Sequence, residues 1–510
     1  MDALTPALPA GVPAWAQRLD ALLAKPWLPW ALVAFGVLLR AVRYFSHNAL
    51  EVSEAELALN VLPRTLGESL APLRYDQAAP PGFVALLILA KNVFGSGELS
   101  LRALPFTASL VSLPLFVLLA RRALRPAGVA IATALFAVAP LLVHYGSFAK
   151  QYASDALLAI VLLLLALRVL EERKGSMVAF AAVGAAALWF SHSAAFVVAG
   201  TGSALAFVRR DIARLARLAA CGLAFAASFT GFLALTDRGT TGNEFLLDYW
   251  QSGFLPFPPR SISDFRWFID RGIGVLEDPG AFFPAGAAAL ALLAGIVFLV
   301  RERRDVALLL LSPVPFLLAA SSLRLYPVHG RLVVFLIPIL VVFIAAGVDG
   351  LRRAAEQTPL LGVLLLLLLV VDPVASEMKK LFAPPRFEDL RPLIERLARE
   401  AHPEDPIYVY HDAQFAWRYY APGYGLDPDR AIIGRSAESV WADDLRDLEP
   451  LRGLPRVWLL FSHAHLRQTP RSEEDFFVFE LDRSGRRLAE QREPGAALYL
   501  YDLRGHDAAR

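Results

Sequence analysis

A single cysteine, Cys221, in 510 residues leaves no disulfide framework within the chain. Charge of one sign is equally scarce. Fifty Lys and Arg stand against 48 Asp and Glu, and a formal net charge of +2 is too small to imply a nucleic-acid partner. The first 25 residues lack a short isolated apolar core followed by a small-residue cleavage site, so residues 1–26 read as a cytoplasmic lead-in instead of a cleaved signal. What the chain does have is apolar surface: 56% of it is hydrophobic, 19% is charged, and the mean hydropathy is +0.48. A soluble protein of that composition is rare.

A helix needs roughly 20 mostly apolar residues to cross the hydrocarbon of a bilayer. Eleven stretches approach that length: Trp27–Phe45, Ala103–Ala120, Val129–Tyr145, Ala156–Leu170, Met177–Phe190, Ala194–Val208, Leu218–Leu235, Phe282–Val300, Val306–Ala320, Leu332–Ala346 and Leu360–Val371. The fold class expected is an α-helical polytopic membrane protein, with about 11–13 crossings, followed by a small soluble α/β domain. Basic clusters recur at Arg121, Arg122 and Arg125, at Arg173 and Lys174, at Arg209, Arg210, Arg214 and Arg217, at Arg301 to Arg304, and at Arg352 and Arg353. By the positive-inside rule these lie in the cytoplasm, which puts loops 46–81, 146–155, 237–280 and 321–330 on the outer face. Gly82–Phe94 breaks the count of crossings, and at 13 residues it reads as a partial, re-entrant or interfacial helix.

The membrane domain is expected over 27–378 and a soluble outer domain over 379–510, where composition turns mixed after Lys379, with Pro384 and Pro385 at the joint. The tail reads as helix Phe387–Arg399, strand Ile407–Tyr410, helix Gln414–Tyr420, strand Ala431–Gly434, helix Ala437–Leu448, strand Arg456–Phe461 and a last pair of strands, Phe476–Asp482 and Ala497–Leu503. It carries neither a glycine-rich phosphate loop nor metal-ligand spacing, which favours an accessory or substrate-guiding role.

Polar groups with chemical potential gather at the outer helix ends. The first outer loop carries Glu51, Glu54, Glu56, Glu68 and Asp76. If Glu51–Asn60 is helical, Glu51 and Glu54 share a face. A carboxylate there suits proton abstraction from an attacking hydroxyl, although acidic surface loops are common. Asp155, in Lys150-Gln151-Tyr152-Ala153-Ser154-Asp155, opens directly onto an apolar helix. An ionisable group at that place is costly without a role or a partner. Helix capping is the plain alternative, and it does not exclude function. Arg331, in Tyr326-Pro327-Val328-His329-Gly330-Arg331, is suited with Lys150 to hold a lipid phosphate or pyrophosphate, against the simpler possibility that both snorkel to headgroups. His192, between Ser191 and Ser193, is a weaker candidate.

These residues resemble a family. Ser53-Glu54-Ala55 through Asn60, Gln77-Ala78-Ala79-Pro80-Pro81-Gly82-Phe83, Phe94-Gly95-Ser96-Gly97-Glu98, Leu101-Arg102-Ala103-Leu104-Pro105, Lys150 to Asp155, and Tyr326-Pro327 with Gly330-Arg331 together look like bacterial GT-C glycosyltransferases. Those are relatives of protein O-mannosyltransferases and of the lipid A aminoarabinose transferase, and Asp405-Pro406-Ile407-Tyr408-Val409-Tyr410 resembles their uncharacterised members. The resemblance implies a polyprenyl-phosphate sugar donor, a lipid, glycan or protein acceptor, and an inverting single displacement on the periplasmic face of a bacterial inner membrane. It implies that a first-loop carboxylate activates the acceptor, that Asp155 orients a substrate, and that basic residues neutralise the departing phosphate.

One departure matters. The family has Asp-Glu where this chain has Ser53-Glu54, and a serine hydroxyl takes no proton without a base of its own. Glu54 first, or Glu51 or Asp76, is expected to take over. The candidate catalytic set is therefore Glu54, Asp155, Ser53, Glu51 and Asp76, and the candidate binding set is Lys150, Tyr152, Arg331, Tyr326, His329 and His192. No obligatory cofactor is expected, a divalent metal remains open, and no residue is assigned to one. Two other classes compete: a catalytically inactive relative that binds the lipid carrier, and a lipid-linked glycan transporter. The second lacks the internal repeats and midplane glycine breaks that transporters show.

Overall fold

A computed structural model of the chain describes residues 13–46, 48–208, 211–236, 243–354, 360–435, 446–464 and 472–504. Arg209, Arg210, the first residues of the 237–280 loop and most of the expected Ala437–Leu448 helix lie outside the described residues. The chain divides into two compact units, one of residues 1–45 and 65–384, the other of 46–64 and 385–510.

The larger unit is helical, and each apolar stretch of the sequence forms helix. Eight helices among the described residues are long and apolar enough to cross a membrane: Leu28–Phe45, Glu98–Ala123, Tyr152–Leu170, Ile212–Thr236, Ala285–Glu302, Arg304–Ser322, Gly330–Ala354 and Leu360–Phe382. Four shorter apolar helices, Pro81–Phe94, Pro126–Val138, Ser176–Ala187 and Ala194–Val208, accompany them. The chain is a multi-pass membrane protein. Pro81–Phe94 has 14 residues and so extends about 21 Å, less than the hydrocarbon thickness.

The stretch read as Val129–Tyr145 is broken in two, into Pro126–Val138 and Pro140–Tyr145, because Pro140 has no N–H for the carbonyl of Phe136 four residues back. The break is repaired from outside the helix. Arg40, fully buried, reaches Phe136 O at 3.5 Å and Ala137 O at 2.9 Å, and also bonds Gly36 O at 3.1 Å and Ser109 Oγ at 2.7 Å. Hydrocarbon offers no substitute donor, so each carbonyl left bare costs about 1–3 kcal/mol. Arg40→Met should therefore lower the thermal unfolding midpoint in detergent, with Arg40→Lys recovering part of the loss; a midpoint equal to wild type for Arg40→Met would show the carbonyls finding other donors.

Helix Ala285–Glu302 and helix Ile337–Ala354 cross at glycines. A Cβ built on Gly295 would lie 1.7 Å from Phe343 O, and one on Gly347 would lie 1.8 Å from Ala291 O. Backbone thus meets backbone, the arrangement small residues permit between helices that have no water to expel.

The smaller unit holds a five-stranded sheet in the order β2-β1-β3-β5-β4, with β1 Ile407–Val409, β2 Ile432–Ile433, β3 Val457–Ser462, β4 Arg486–Glu493 and β5 Ala496–Asp502. β1 is parallel to β2 and β3, while β5 runs antiparallel to β3 and β4. The expected strand at Phe476–Asp482 is instead a helix, Glu473–Ser484. Ser472 and Asp475 form a reciprocal capping box, acidic residues fill the first turn, and Phe477 and Leu481 are buried four residues apart on one face. The strand that pairs with β5 is β4, whose Arg and Glu residues alternate exposed and half-buried at the sheet edge. The first helix of the tail starts at Arg391, not Phe387, with Pro392 in its first turn.

This unit also contains the segment Ser46–Arg64. Its helix Val52–Val61 buries Ala55, Leu57, Ala58 and Val61. The Leu50 N–H donates to Tyr420 Oη at 2.8 Å, and the Val52 N–H donates to Glu388 Oε2 at 3.0 Å.

Candidate functional site

In the larger unit, several of the candidate polar residues converge around the start of helix Tyr152–Leu170. Asp155 stands in its first turn and is 5% exposed, and its Oδ1 makes no hydrogen bond. The Ser191 side chain hydrogen-bonds the carboxylate. Ser191 is itself fixed: it is fully buried, its Oγ lies 3.0 Å from Ser193 Oγ, and it accepts the Ala194 N–H at 3.2 Å. The same connector places the carbonyl of Trp189 on the Gly82 N–H at 2.9 Å.

Tyr326 faces this carboxylate. Burial raises its phenol well above the ordinary value, and the charges of Asp155 and Tyr152 add to the effect. Its hydroxyl donates to Leu332 O at 2.8 Å, and its ring meets Phe196 edge-on at 4.9 Å. Tyr152, 5% exposed, packs on Tyr145 with ring centroids 4.8 Å apart. Tyr152, Asp155 and Tyr326 are thus brought together with Ser191. Lys150 is buried beside them in sequence, and its ammonium donates to Gln77 Oε1.

Arg331 and His329 form a second group. The Arg331 guanidinium lies 5.6 Å from the centre of the Trp250 ring, and His329 is 5.5 Å from that ring. This fixes the long loop that carries Trp250 against residues 321–330, helped by Ser321, which donates to Gly253 O at 3.2 Å and accepts the Leu255 N–H at 2.9 Å. The turn at Gly330 is left-handed, with φ +46°, and a Cβ there would sit 3.1 Å from the Asp278 carboxylate. Burial lowers the His329 imidazole from its usual value, Arg271 lowers it further, and Asp278 opposes them.

His192 keeps some accessible surface, yet the surrounding protein pushes its imidazole down to about 4. It is neutral near pH 7 and brings no positive charge to a phosphate. Its ring packs on Phe232 at 5.6 Å. Asp76 is exposed, with φ +51°, and accepts a bond from Asn243 Nδ2 at 2.7 Å.

Glu51, Ser53 and Glu54 belong to the smaller unit. Glu51 is the N-cap of helix Val52–Val61, and Glu54, fully buried, accepts the Glu51 N–H at 3.1 Å in a capping box. The Glu54 carboxylate therefore has a structural task. Three partners were not singled out from sequence: Gln77, Ser191 and Trp250. Gln77 lies 73 residues from Lys150, and no local spacing signals such a pairing.

Among the described residues, no group of three or more His, Cys, Asp or Glu is placed to hold a metal ion. Between helices Ser176–Ala187, Ala194–Val208 and Ile212–Thr236 lies a cavity of about 580 Å³, lined by Phe180, Val198, Cys221, Phe225 and Phe229 among others. Its walls are mostly apolar, which suits a hydrocarbon chain better than a sugar.

No family profile matches the chain, and no curated protein sequence does either. Solved structures do. ArnT from Cupriavidus metallidurans bound to undecaprenyl phosphate superposes with a TM-score of 0.53 at 14% identity, over 95% of this chain and 98% of that one. The apo state of the same protein gives 0.50 at 16% identity, over 95% and 97%. The archaeal oligosaccharyltransferase AglB from Archaeoglobus fulgidus, in complex with an inhibitory peptide and a dolichol-phosphate, gives 0.48 at 13% identity, over 95% and 74%. The match to ArnT runs nearly end to end in both chains, and it shows the architecture that the order of motifs in the sequence suggested: this chain is built on the GT-C fold.

Proposed function

We propose that the protein is a membrane glycosyltransferase that moves a sugar from a polyprenyl-phosphate donor to a hydroxyl or amine of a lipid, glycan or protein acceptor. The observation that carries this reading is Asp155, a buried carboxylate with an unpartnered oxygen at the outer mouth of a membrane helix, close to Tyr152 and Tyr326. Such a group is a standing cost to the fold, and it fits a site that engages substrate. The ArnT structure that shares the fold holds undecaprenyl phosphate, which supports the choice of donor class.

In the proposed reaction the acceptor oxygen or nitrogen forms a bond to the anomeric carbon as the bond from that carbon to phosphate oxygen breaks, with inversion. Lys150, held by Gln77, supplies positive charge for the departing phosphate. Asp155 orients the acceptor and receives its proton. The carbon-lined cavity is a fitting berth for the prenyl chain. The basic clusters between helices, read by the positive-inside rule, support the periplasmic side of a bacterial inner membrane as the place of this chemistry. No step needs a metal, and chelator should leave transfer unchanged.

A second reading has one observation in its favour. Ser53 replaces the family's carboxylate, and neighbouring Glu54 is engaged in helix capping, as a lipid-carrier-binding relative without activity would allow. Transfer in nanodiscs from radiolabelled polyprenyl-phosphate sugars to membrane lipid extracts decides between them. The enzyme reading expects transfer from at least one donor, and Lys150→Met should reduce it about 100-fold or more. Silence on every donor, with activity appearing in Ser53→Asp, would establish the second.

A further inference from the structure

Helix Ile262–Glu277 of the larger unit has three sides of different character. One side carries Asp264, Trp267, Arg271 and Gly274, all half-buried against the rest of the unit. Trp267 packs on the core, and its indole N–H donates to Ser252 O at 3.1 Å. The second side carries Ser263, Arg266, Asp270 and Glu277, all exposed, with Arg266 and Asp270 paired at 3.4 Å one turn apart. The third side is apolar and bare. Ile262 is 90% exposed, Phe265 57%, Phe268 46% and Ile269 67%, in the steps of three and four residues that align side chains along a helix.

The same apolar stripe goes under cover at its other end. Leu276 is buried, and Ile273 packs against the core that the membrane helices form. Residues 278–284 then lead into the span Ala285–Glu302, which turns Leu290, Leu293 and Val297 outward together, with Phe283 exposed at its entrance. The helix also stands level with the end of a second span, Arg304–Ser322. Ser321 of that span bonds Gly253, the neighbour of the Ser252 that Trp267 holds, and Leu323 and Leu325 just beyond it are bare as well. With five charged residues, Asp264, Arg266, Asp270, Arg271 and Glu277, and a length of about 24 Å, the helix does not itself suit a crossing.

We propose that helix Ile262–Glu277 lies in the membrane interface, with Ile262, Phe265, Phe268 and Ile269 sunk into the acyl chains of the phospholipid leaflet at this end of the bundle. A protein side, a water side and a lipid side are what a helix needs at the edge of a membrane protein, on the surface of the bilayer. Because Trp267 holds Ser252, docking also ties the loop that carries Trp250 to the level of the lipid headgroups. The inference goes beyond the transferase reading and uses only the multi-pass architecture, so either can fail without the other.

The test is spin labelling of the full-length protein in phospholipid nanodiscs. In a Cys221→Ser background, labels are attached to Ser263→Cys, Phe265→Cys, Ile269→Cys and Asp270→Cys, one at a time, with Leu293→Cys on the lipid face of the span as the hydrocarbon reference. Power saturation with molecular oxygen and with a water-soluble nickel chelate reads the surroundings of each label. Phe265→Cys and Ile269→Cys should be reached by oxygen and shielded from nickel, about 5–10 Å inside the headgroup boundary. Ser263→Cys and Asp270→Cys should be reached by nickel. Adding Phe265→Asp to the labelled Ile269→Cys protein should move that label outward, towards nickel, while the Leu293→Cys reference stays unchanged. Equal nickel access at all four helix positions would overturn the proposal by placing the stripe in water. Shielding of Phe265→Cys and Ile269→Cys from both reagents would overturn it too, by showing that another protein surface covers the stripe.

Discussion

Gly347→Ala should cost the protein about 3 kcal/mol or more, and it should reach the membrane in greatly reduced folded yield. Inserting a methyl group into a tight contact typically costs about 1–3 kcal/mol when side chains can move aside. Here the new Cβ would lie 1.8 Å from Ala291 O and 2.8 Å from the backbone nitrogen of Gly295, so no rotamer change relieves it. The two helices must separate, and that opens the surrounding core in which Phe343, Ile344 and Val348 are buried. Gly286 provides the control on the same helix as Gly295. Nothing lies within 4 Å of a Cβ there, so Gly286→Ala should be neutral or stabilise by up to about 1 kcal/mol. Thermal unfolding of both variants in detergent checks the pair, and equal midpoints would mean the crossing is looser than described.

Asp155→Asn should reduce sugar transfer by about a thousandfold, in the range expected when a positioned proton acceptor is lost. The fold should not suffer. Asparagine has the same shape and keeps an oxygen for Ser191, and it replaces a carboxyl group whose Oδ1 is buried without a hydrogen bond. Activity and stability should therefore move in different senses, with kcat falling while the unfolding midpoint holds or rises. Glu54→Ala should behave in the reverse way, losing about 1 kcal/mol of stability with the capping box. A Glu54→Gln variant that is stable but inactive, beside an active Asp155→Asn, would move the proton acceptor to the first-loop helix.

Much of this was legible in the sequence because hydrocarbon is an unforgiving solvent. A span must be long and apolar, and so all eleven apolar stretches form helix, although Val129–Tyr145 splits at Pro140 and Leu360–Val371 runs on to Phe382. Asp155 was legible for the same reason, since a carboxylate opening an apolar helix stands out. The tail was harder to read. Phe476, Phe477 and Phe479 suggested a strand, but Ser472 and Asp475 start a helix, and the true edge strand was hidden by its charge. The side-chain pairings were not legible at all. Lys150 with Gln77 and Glu388 with His463 join residues 73 and 75 positions apart, and only the fold brings them together.

The position of Arg40 has a consequence for how the protein is made. Its acceptors are synthesised later: Ser109 comes 69 residues afterwards and Ala137 comes 97 afterwards. At roughly 5–20 residues per second, the ribosome needs about 5–20 s to deliver the second of them. Until Ser109 is made, the Leu28–Phe45 helix carries an arginine that has, of these acceptors, only the Gly36 carbonyl of its own helix. Nascent chains stalled before Ala137 should hold this helix at the translocon's lateral gate, and chains stalled well beyond it should release the helix into lipid.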